Sequence, residues 1–366
     1  MTTSTDAAAG DAAQPDGETY DKFRRLASEN LGSDYKLTGL SRVAGGASRQ
    51  TWLLKVTRGA TETTLIARLE AGGVARREAL PLALEHRLIE AAVTQGVLTP
   101  KPIALDTSTF ARPALLMEYV AGRTDGPQIV RSADLAHARA LIPKQLAEQF
   151  ALIHAIDPNE LAFLPRRQGA RRVLELLAEE LHGLDELHPV LDYVIQGLQD
   201  LAPPEHETAS PVVVHSDIRV GNIIVDPEAG LVAILDWEIA HLGDPVEDLA
   251  WPTIRQWRFG RDDQPLSGIG PIDEYLREYC ALTGRDVSTA LMDYWEAVGN
   301  VRWAFGCMSQ AQRHLSGKDR SIEYAALGRL MCKPEFEALL LYSRLADRIA
   351  GADRAGQADQ LAKDHS

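Results

Sequence analysis

Three polar side chains stand among short apolar, β-branched runs between residues 212 and 238. Asp217 and Asn222 lie within His215-Ser-Asp-Ile-Arg-Val-Gly-Asn222, and Asp236 ends Leu231-Val-Ala-Ile-Leu-Asp236. The pattern reads as strand, tight loop, strand, turn, strand. Asn222 follows Asp217 by five residues, and a loop of that length can aim both side chains into one cavity. A carboxylate, an amide and a second carboxylate suit the holding of Mg²⁺ and the removal of a proton from a hydroxyl. Asp217 is then the base, and Asn222 and Asp236 are the metal ligands. A single Asp in a strand turn reads as turn or capping chemistry. The three together, between apolar strands, are much harder to explain that way.

Other parts of a phosphoryl-transfer apparatus have candidates. Arg68 ends an apolar strand and Glu85 lies on the following helix, so a cation there could hold nucleotide phosphates with Glu85 fixing its side chain. Gly45-Gly-Ala-Ser48 joins two expected strands, and its glycines let backbone amides near Ser48 approach phosphate oxygens. The same pair also reads as a hairpin turn, and it matches neither GxxxxGK[ST] nor strand-GxGxxG-helix. Leu115–Gly122 reads as a strand leading into a linker, where an adenine ring could bond the backbone of Glu118 and Val120. His215 reads as a buried side chain bracing the loop. Arg219 reads equally as a phosphate contact or a solvated surface residue. Glu238 is a candidate outer or second metal ligand. The co-substrate implied is ATP or GTP with Mg²⁺.

The elements that must position these residues fall into two parts. Strands are expected over 35–43, 49–56, 63–69 and 114–120, with a helix over 76–95. From 121 onward the chain reads as mostly helical, over 134–156, 171–201, 272–283, 288–315 and 322–350, interrupted by the strand cluster at 211–238. This is an α+β chain with a β-rich N-lobe (18–120) and a mostly helical C-lobe (121–350). Residues 1–17 and 351–366 lack periodicity and read as flexible tails. Trp251, Trp257, Trp295 and Trp303 are candidate walls of an acceptor pocket, although aromatics at helical spacing are more often core.

At 366 residues the chain is long enough for two cores. Its net charge of −14 is uneven: residues 1–120 carry 14 basic and 14 acidic side chains, leaving 24 against 38 in the remainder. Nucleic-acid binders lean the other way, so nucleic acid is not an expected partner. Three widely spaced cysteines suggest neither disulfides nor zinc and fit a reducing cytoplasm. No segment reads as a membrane span or a leader.

Ala44-Gly-Gly-Ala-Ser48, Glu85-His-Arg-Leu-Ile89, Met117-Glu-Tyr-Val-Ala-Gly122, the His215–Asn222 loop, Leu235-Asp-Trp-Glu238 and Gly243-Asp-Pro-Val-Glu-Asp-Leu-Ala-Trp251 occur in this order. Together they resemble the aminoglycoside phosphotransferase (choline-kinase-like) superfamily, which has a bilobal protein-kinase-like fold. The nearest branch resembles the kinase-like domain of acyl-CoA dehydrogenase fusion proteins. The resemblance spans about residues 35–255. It implies Asp217 as catalytic base, Asn222 and Asp236 as Mg²⁺ ligands, and Asp248 as a structural brace accepting backbone hydrogen bonds from the catalytic loop. Two positions depart from the family pattern: Ser216 replaces the usual glycine of His-Gly-Asp, and Arg68 replaces the third-strand lysine. The acceptor implied is a small hydroxylated molecule: an aminoglycoside, a macrolide, a hydroxy acid or its thioester, or another metabolite. A silent nucleotide-binding scaffold and a metal-dependent hydrolase built on His215, Asp217 and Asp236 are the alternatives.

Overall fold

The computed structural model describes residues 16–43, 49–70 and 79–364, apart from 168, 185, 208 and 318–319. Ser48 and its glycine pair lie outside the described residues, as does most of the N-terminal segment read as a tail. The chain divides into two compact units: Met1–Gly122 with Val232–Ile239, and Arg123–Leu231 with Ala240–Ser366.

The first unit opens with α1 (Gly17–Leu31), where no element was expected. Asp16 caps it, accepting from Thr19 N–H at 2.7 Å. Phe23, Leu26 and Ala27 form its buried stripe, at the i, i+3, i+4 spacing of a helix face. Charged neighbours on both sides dilute that signal in the sequence. The stripe lies on an antiparallel sheet of β1 (Lys36–Arg42), β2 (Arg49–Arg58), β3 (Thr61–Glu70), β4 (Pro102–Asp106) and β5 (Ala114–Glu118), in the order β1-β2-β3-β5-β4. Alternation along β2 buries Trp52, Leu54 and Val56, and along β3 it buries Leu65 and Ala67. Arg68, next to Ala67, therefore projects from the opposite face. The expected helix from residue 76 starts later, as α2 (Leu82–Gln95). Pro81 is extended (ψ 141°), and a proline bars the residue before it from helical geometry.

The segment 232–239 belongs to this unit because its backbone is pinned there. Ile234 N–H donates to Leu98 O (2.7 Å), Leu80 N–H to Glu238 O (2.6 Å), and the Trp237 indole to Thr99 Oγ1 (3.1 Å). Asp236 is thereby carried to Arg68, 168 positions away in sequence.

The second unit is mostly helical, and its strands belong to two two-stranded sheets. Its helices are α3 (Gly126–Arg131), α4 (Ala136–His154), α5 (Ala170–His182), α6 (Pro189–Asp200), α7 (Pro204–Glu207), α8 (Pro245–Ala250), α9 (Ile272–Thr283), α10 (Thr289–Leu315), α11 (Ile322–Leu330) and α12 (Cys332–Asp364). The stretch 171–201 thus holds two helices, and 322–350 breaks at Met331. β6 (Val212–Val214) pairs antiparallel with β9 (His241–Gly243). β7 (Ile223–Asp226) ends in a turn closed by Asp226 Oδ1, which accepts from Glu228 and Ala229 N–H, both at 2.9 Å. β8 (Gly230–Ile234) then carries the chain into the first unit. Among the described residues, no helix is long and apolar enough to cross a membrane.

Phe23 is fully buried, with ring centroids 5.0 Å from both Trp52 and Phe110. Phe23→Ala is expected to cost about 3–5 kcal/mol in urea unfolding, and Phe23→Leu much less. Equal midpoints for the two variants would mean that α1 does not hold this core.

Candidate active site

In the second unit the loop after β6 is built around the buried carboxylate of Asp248 on α8. It accepts from His215 N–H at 2.7 Å and Ser216 N–H at 2.6 Å, one on each oxygen. His154 of α4 lies 3.2 Å from the same group through Nε2, and its Nδ1 meets Tyr279 Oη at 2.8 Å. Burial and the negative charge of Asp248 push the Tyr275 hydroxyl well above its usual range. Two consecutive amides held by one carboxylate define the turn. His215 closes it, its Nδ1 accepting from Asp217 N–H at 3.2 Å.

Asp217 follows, with both oxygens engaged. Asn222 Nδ2 donates to Oδ2 at 2.9 Å and to the Asp217 carbonyl at 2.8 Å. Trp251 Nε1 donates to Oδ1 at 2.9 Å. Both amide protons of Asn222 are therefore directed to Asp217, and Oδ1 is the amide atom left to meet a cation. Arg219 Nε lies 3.4 Å from Asp217 Oδ1, and its guanidinium covers the Trp257 ring at 4.7 Å. Gly221 makes room for it: a Cβ there would fall 2.2 Å from Arg219 Nη1.

Trp251, Trp257 and Trp303 pack in succession, with centroids 5.5 and 4.7 Å apart. Trp295 is 99% buried beside Tyr294, away from this group. Under the cluster, Thr253 Oγ1 donates to Glu296 at 2.9 Å and Arg258 pairs with it at 3.3 Å. Burial pushes the Glu296 carboxyl up to about 7, against the opposing pull of Arg258 and Thr253. The indole donor to Asp217 has no signature in the sequence, because 34 positions separate the two residues.

In the first unit Glu85 is completely buried and held by two arginines. Arg68 Nη1 donates to its Oε1, and Arg49 Nη2 to its Oε2 at 3.1 Å. Arg68 Nη2 reaches Asp236 Oδ1 at 3.0 Å. Burial alone would lower the Arg68 pKa, but the charges of Glu85, Asp236 and Glu238 outweigh it and hold the guanidinium protonated. Glu238 is buried and joins the network at 4.0 Å from Arg49 Nε. Arg49 was not singled out: it opens β2 directly after Ser48, and nothing in its spacing points to Glu85. Asp236 itself sits at φ 69°, a left-handed conformation unusual for a residue with a side chain. Glu118 N–H donates to Lys101 O at 2.9 Å, and Val120 is half-buried just past the end of β5.

Residues 39–290 match the phosphotransferase enzyme family. The chain belongs to that family. It is 25% identical over 323 residues to acyl-CoA dehydrogenase family member 11 of Pongo abelii, covering 80% of this chain and 40% of that protein. It therefore spans about two fifths of that relative's length. A protein of Ralstonia eutropha JMP134 assigned as an aminoglycoside phosphotransferase has the same fold, with a TM-score of 0.67 and 20% identity over 89% of this chain and 98% of that one. The GDP complex of wild-type aminoglycoside 2′-phosphotransferase-IIIa has a TM-score of 0.60 and 16% identity, covering 87% and 99%. The expected resemblance and the α+β, kinase-like fold both hold for the family member described here.

A carboxyl raised to about 7 binds its proton in the folded chain while the unfolded chain has released it, so stability falls as pH rises from about 4.5 to 7. Glu296→Gln removes that dependence. Melting temperatures should favour the variant over the parent increasingly from pH 5 to pH 8, and a pH-independent difference would contradict the assignment.

Proposed function

We propose that this chain transfers the γ-phosphoryl group of a purine nucleoside triphosphate, ATP or GTP, to a hydroxyl of a small molecule. The observation that carries this reading is the Asp217 carboxylate, fixed through both oxygens by Asn222 and Trp251 on a loop whose backbone is itself fixed. A base that orients an alcohol must have a set direction, and two donors on separate oxygens supply it. The acceptor O–H gives its proton to Asp217, the acceptor oxygen bonds to the γ-phosphorus, and the bond from that phosphorus to the β,γ-bridging oxygen breaks. The nucleoside diphosphate leaves with the bonding electron pair, and Asp217 passes its proton to water.

Asn222 and Asp236 are the proposed Mg²⁺ ligands. Their donor atoms are hard oxygens, which suits Mg²⁺ and not a thiolate- or imidazole-seeking metal. When bound, Mg²⁺ neutralises charge developing on the phosphates. Arg68, oriented by Glu85, is the proposed phosphate contact. The backbone near Ser48 and that of Glu118 and Val120 are the proposed nucleotide contacts. Glu238, 4.0 Å from Arg49 Nε, is the proposed outer or second metal ligand, and Arg219 is a further proposed phosphate contact. The GDP bound by a structural neighbour is consistent with nucleotide use. The buried indole N–H groups of Trp257 and Trp303 have no partner among the described residues and would suit the oxygens of a hydroxylated acceptor. Free Cys280, Cys307 and Cys332 fit a reducing cytoplasm.

ATP consumption screened across aminoglycosides, macrolides, hydroxy acids, their thioesters and amino alcohols identifies the acceptor. With that acceptor, Asp217→Asn is expected to lower kcat by about 10²–10⁴-fold while nucleotide affinity, read by calorimetry, stays within about twofold. Undiminished turnover in the variant would falsify the role of Asp217.

A further inference from the structure

Ser216 precedes Asp217, and the backbone there is left-handed, with φ 74°. That conformation costs a residue with a side chain about 1–2 kcal/mol, so something must hold it. Ser216 is 99% buried and every polar atom of it is engaged. Its N–H donates to Asp248 Oδ1 at 2.6 Å, and its carbonyl accepts from Arg302 Nη2. Its hydroxyl accepts from Arg302 Nη1 at 2.6 Å and faces Glu247 Oε1 at 3.3 Å. Arg302 Nη1 also reaches Glu247 Oε1 at 2.6 Å. Burial alone would raise the Glu247 carboxyl, but His241 first and then Arg302 bring it down to about 2, so it stays charged opposite the guanidinium.

The same guanidinium lies over the Trp251 ring, 4.0 Å from its centroid. Trp251 is the residue whose indole N–H holds Asp217 Oδ1. Arg302, from the middle of α10, thus reaches Asp217 by two routes: through the peptide that precedes it and through the indole that orients its carboxylate. A lysine has neither the planar fork nor the flat face that these contacts use together.

We propose that Arg302 is a positioning residue that clamps the left-handed peptide at Ser216 and the plane of Trp251, and thereby aims Asp217. The clamp does in this chain what a glycine does without help. Its catalytic consequence rests on the reading of Asp217 as the base; the clamp itself does not.

The test uses the full chain in four forms: parent, Arg302→Lys, Ser216→Gly and the double variant. Conversion of MgATP to ADP is followed with water as acceptor and with the alcohol consumed most rapidly in the acceptor screen. Arg302→Lys should lower kcat by about 10–100-fold with nucleotide KM within about twofold, because aim is lost and binding is not. In the Ser216→Gly background the same substitution should cost about 5–30-fold less, the factor matching relief of 1–2 kcal/mol of backbone strain. An equal loss in both backgrounds overturns the proposal, as does an unchanged kcat in Arg302→Lys. Hydrogen exchange over residues 212–222 separates this failure from failure of the functional reading. Exchange should be faster in Arg302→Lys than in the parent whatever Asp217 does, and unchanged exchange overturns the clamp even where Asp217→Asn abolishes turnover.

Discussion

A buried carboxylate that accepts two successive backbone N–H groups is the constraint on which the loop 215–222 depends. Asp248 has lost its water, and its charge is tolerated because His215 N–H, Ser216 N–H and the ring of His154 surround it. Removing it would orphan two adjacent amides in the interior, a cost of about 1–3 kcal/mol each. Because these donors are fixed, the peptide between them has little freedom. The direction of the chain at Ser216, and so the exit vector of Asp217, follows from that.

The first unit uses the complementary arrangement. There the fully buried group is Glu85, and two guanidiniums compensate it. Arg68 divides its fork between Glu85 and Asp236, which a single ammonium on a flexible stem would do less rigidly. One planar group thereby bridges two carboxylates at fixed angles. Asp236 reaches that fork because the backbone of 232–239 is anchored at Leu80, Leu98 and the Thr99 side chain.

The sequence made the strand and helix boundaries legible wherever burial imposes a clean period. β2 and β3 alternate, and α9 and α10 carry apolar stripes that end at Gly284 and after Leu315. The relation of Asp217 to Asn222 was legible because five residues of loop leave few other arrangements. Arg68 and Glu85 were legible as a candidate pair because a cation at a strand end and a carboxylate on the next helix are the groups a phosphate site uses together. α1 was not, since its three buried residues stand among charged side chains, and the start of α2 was misread because apolar periodicity obscured the break at Pro81.

The sequence by itself determined the order of chemical groups along the chain and the local geometry each short segment adopts. It could not indicate that Trp251 would donate to Asp217, that Arg302 would hold the peptide at Ser216, or that Arg49 would share Glu85 with Arg68. Those partners come from 34, 86 and 36 positions away. Their meeting is set by helix packing and sheet register, not by spacing. Tertiary structure decided them because most buried polar atoms pair, and the partner is whichever group the fold brings within about 3 Å.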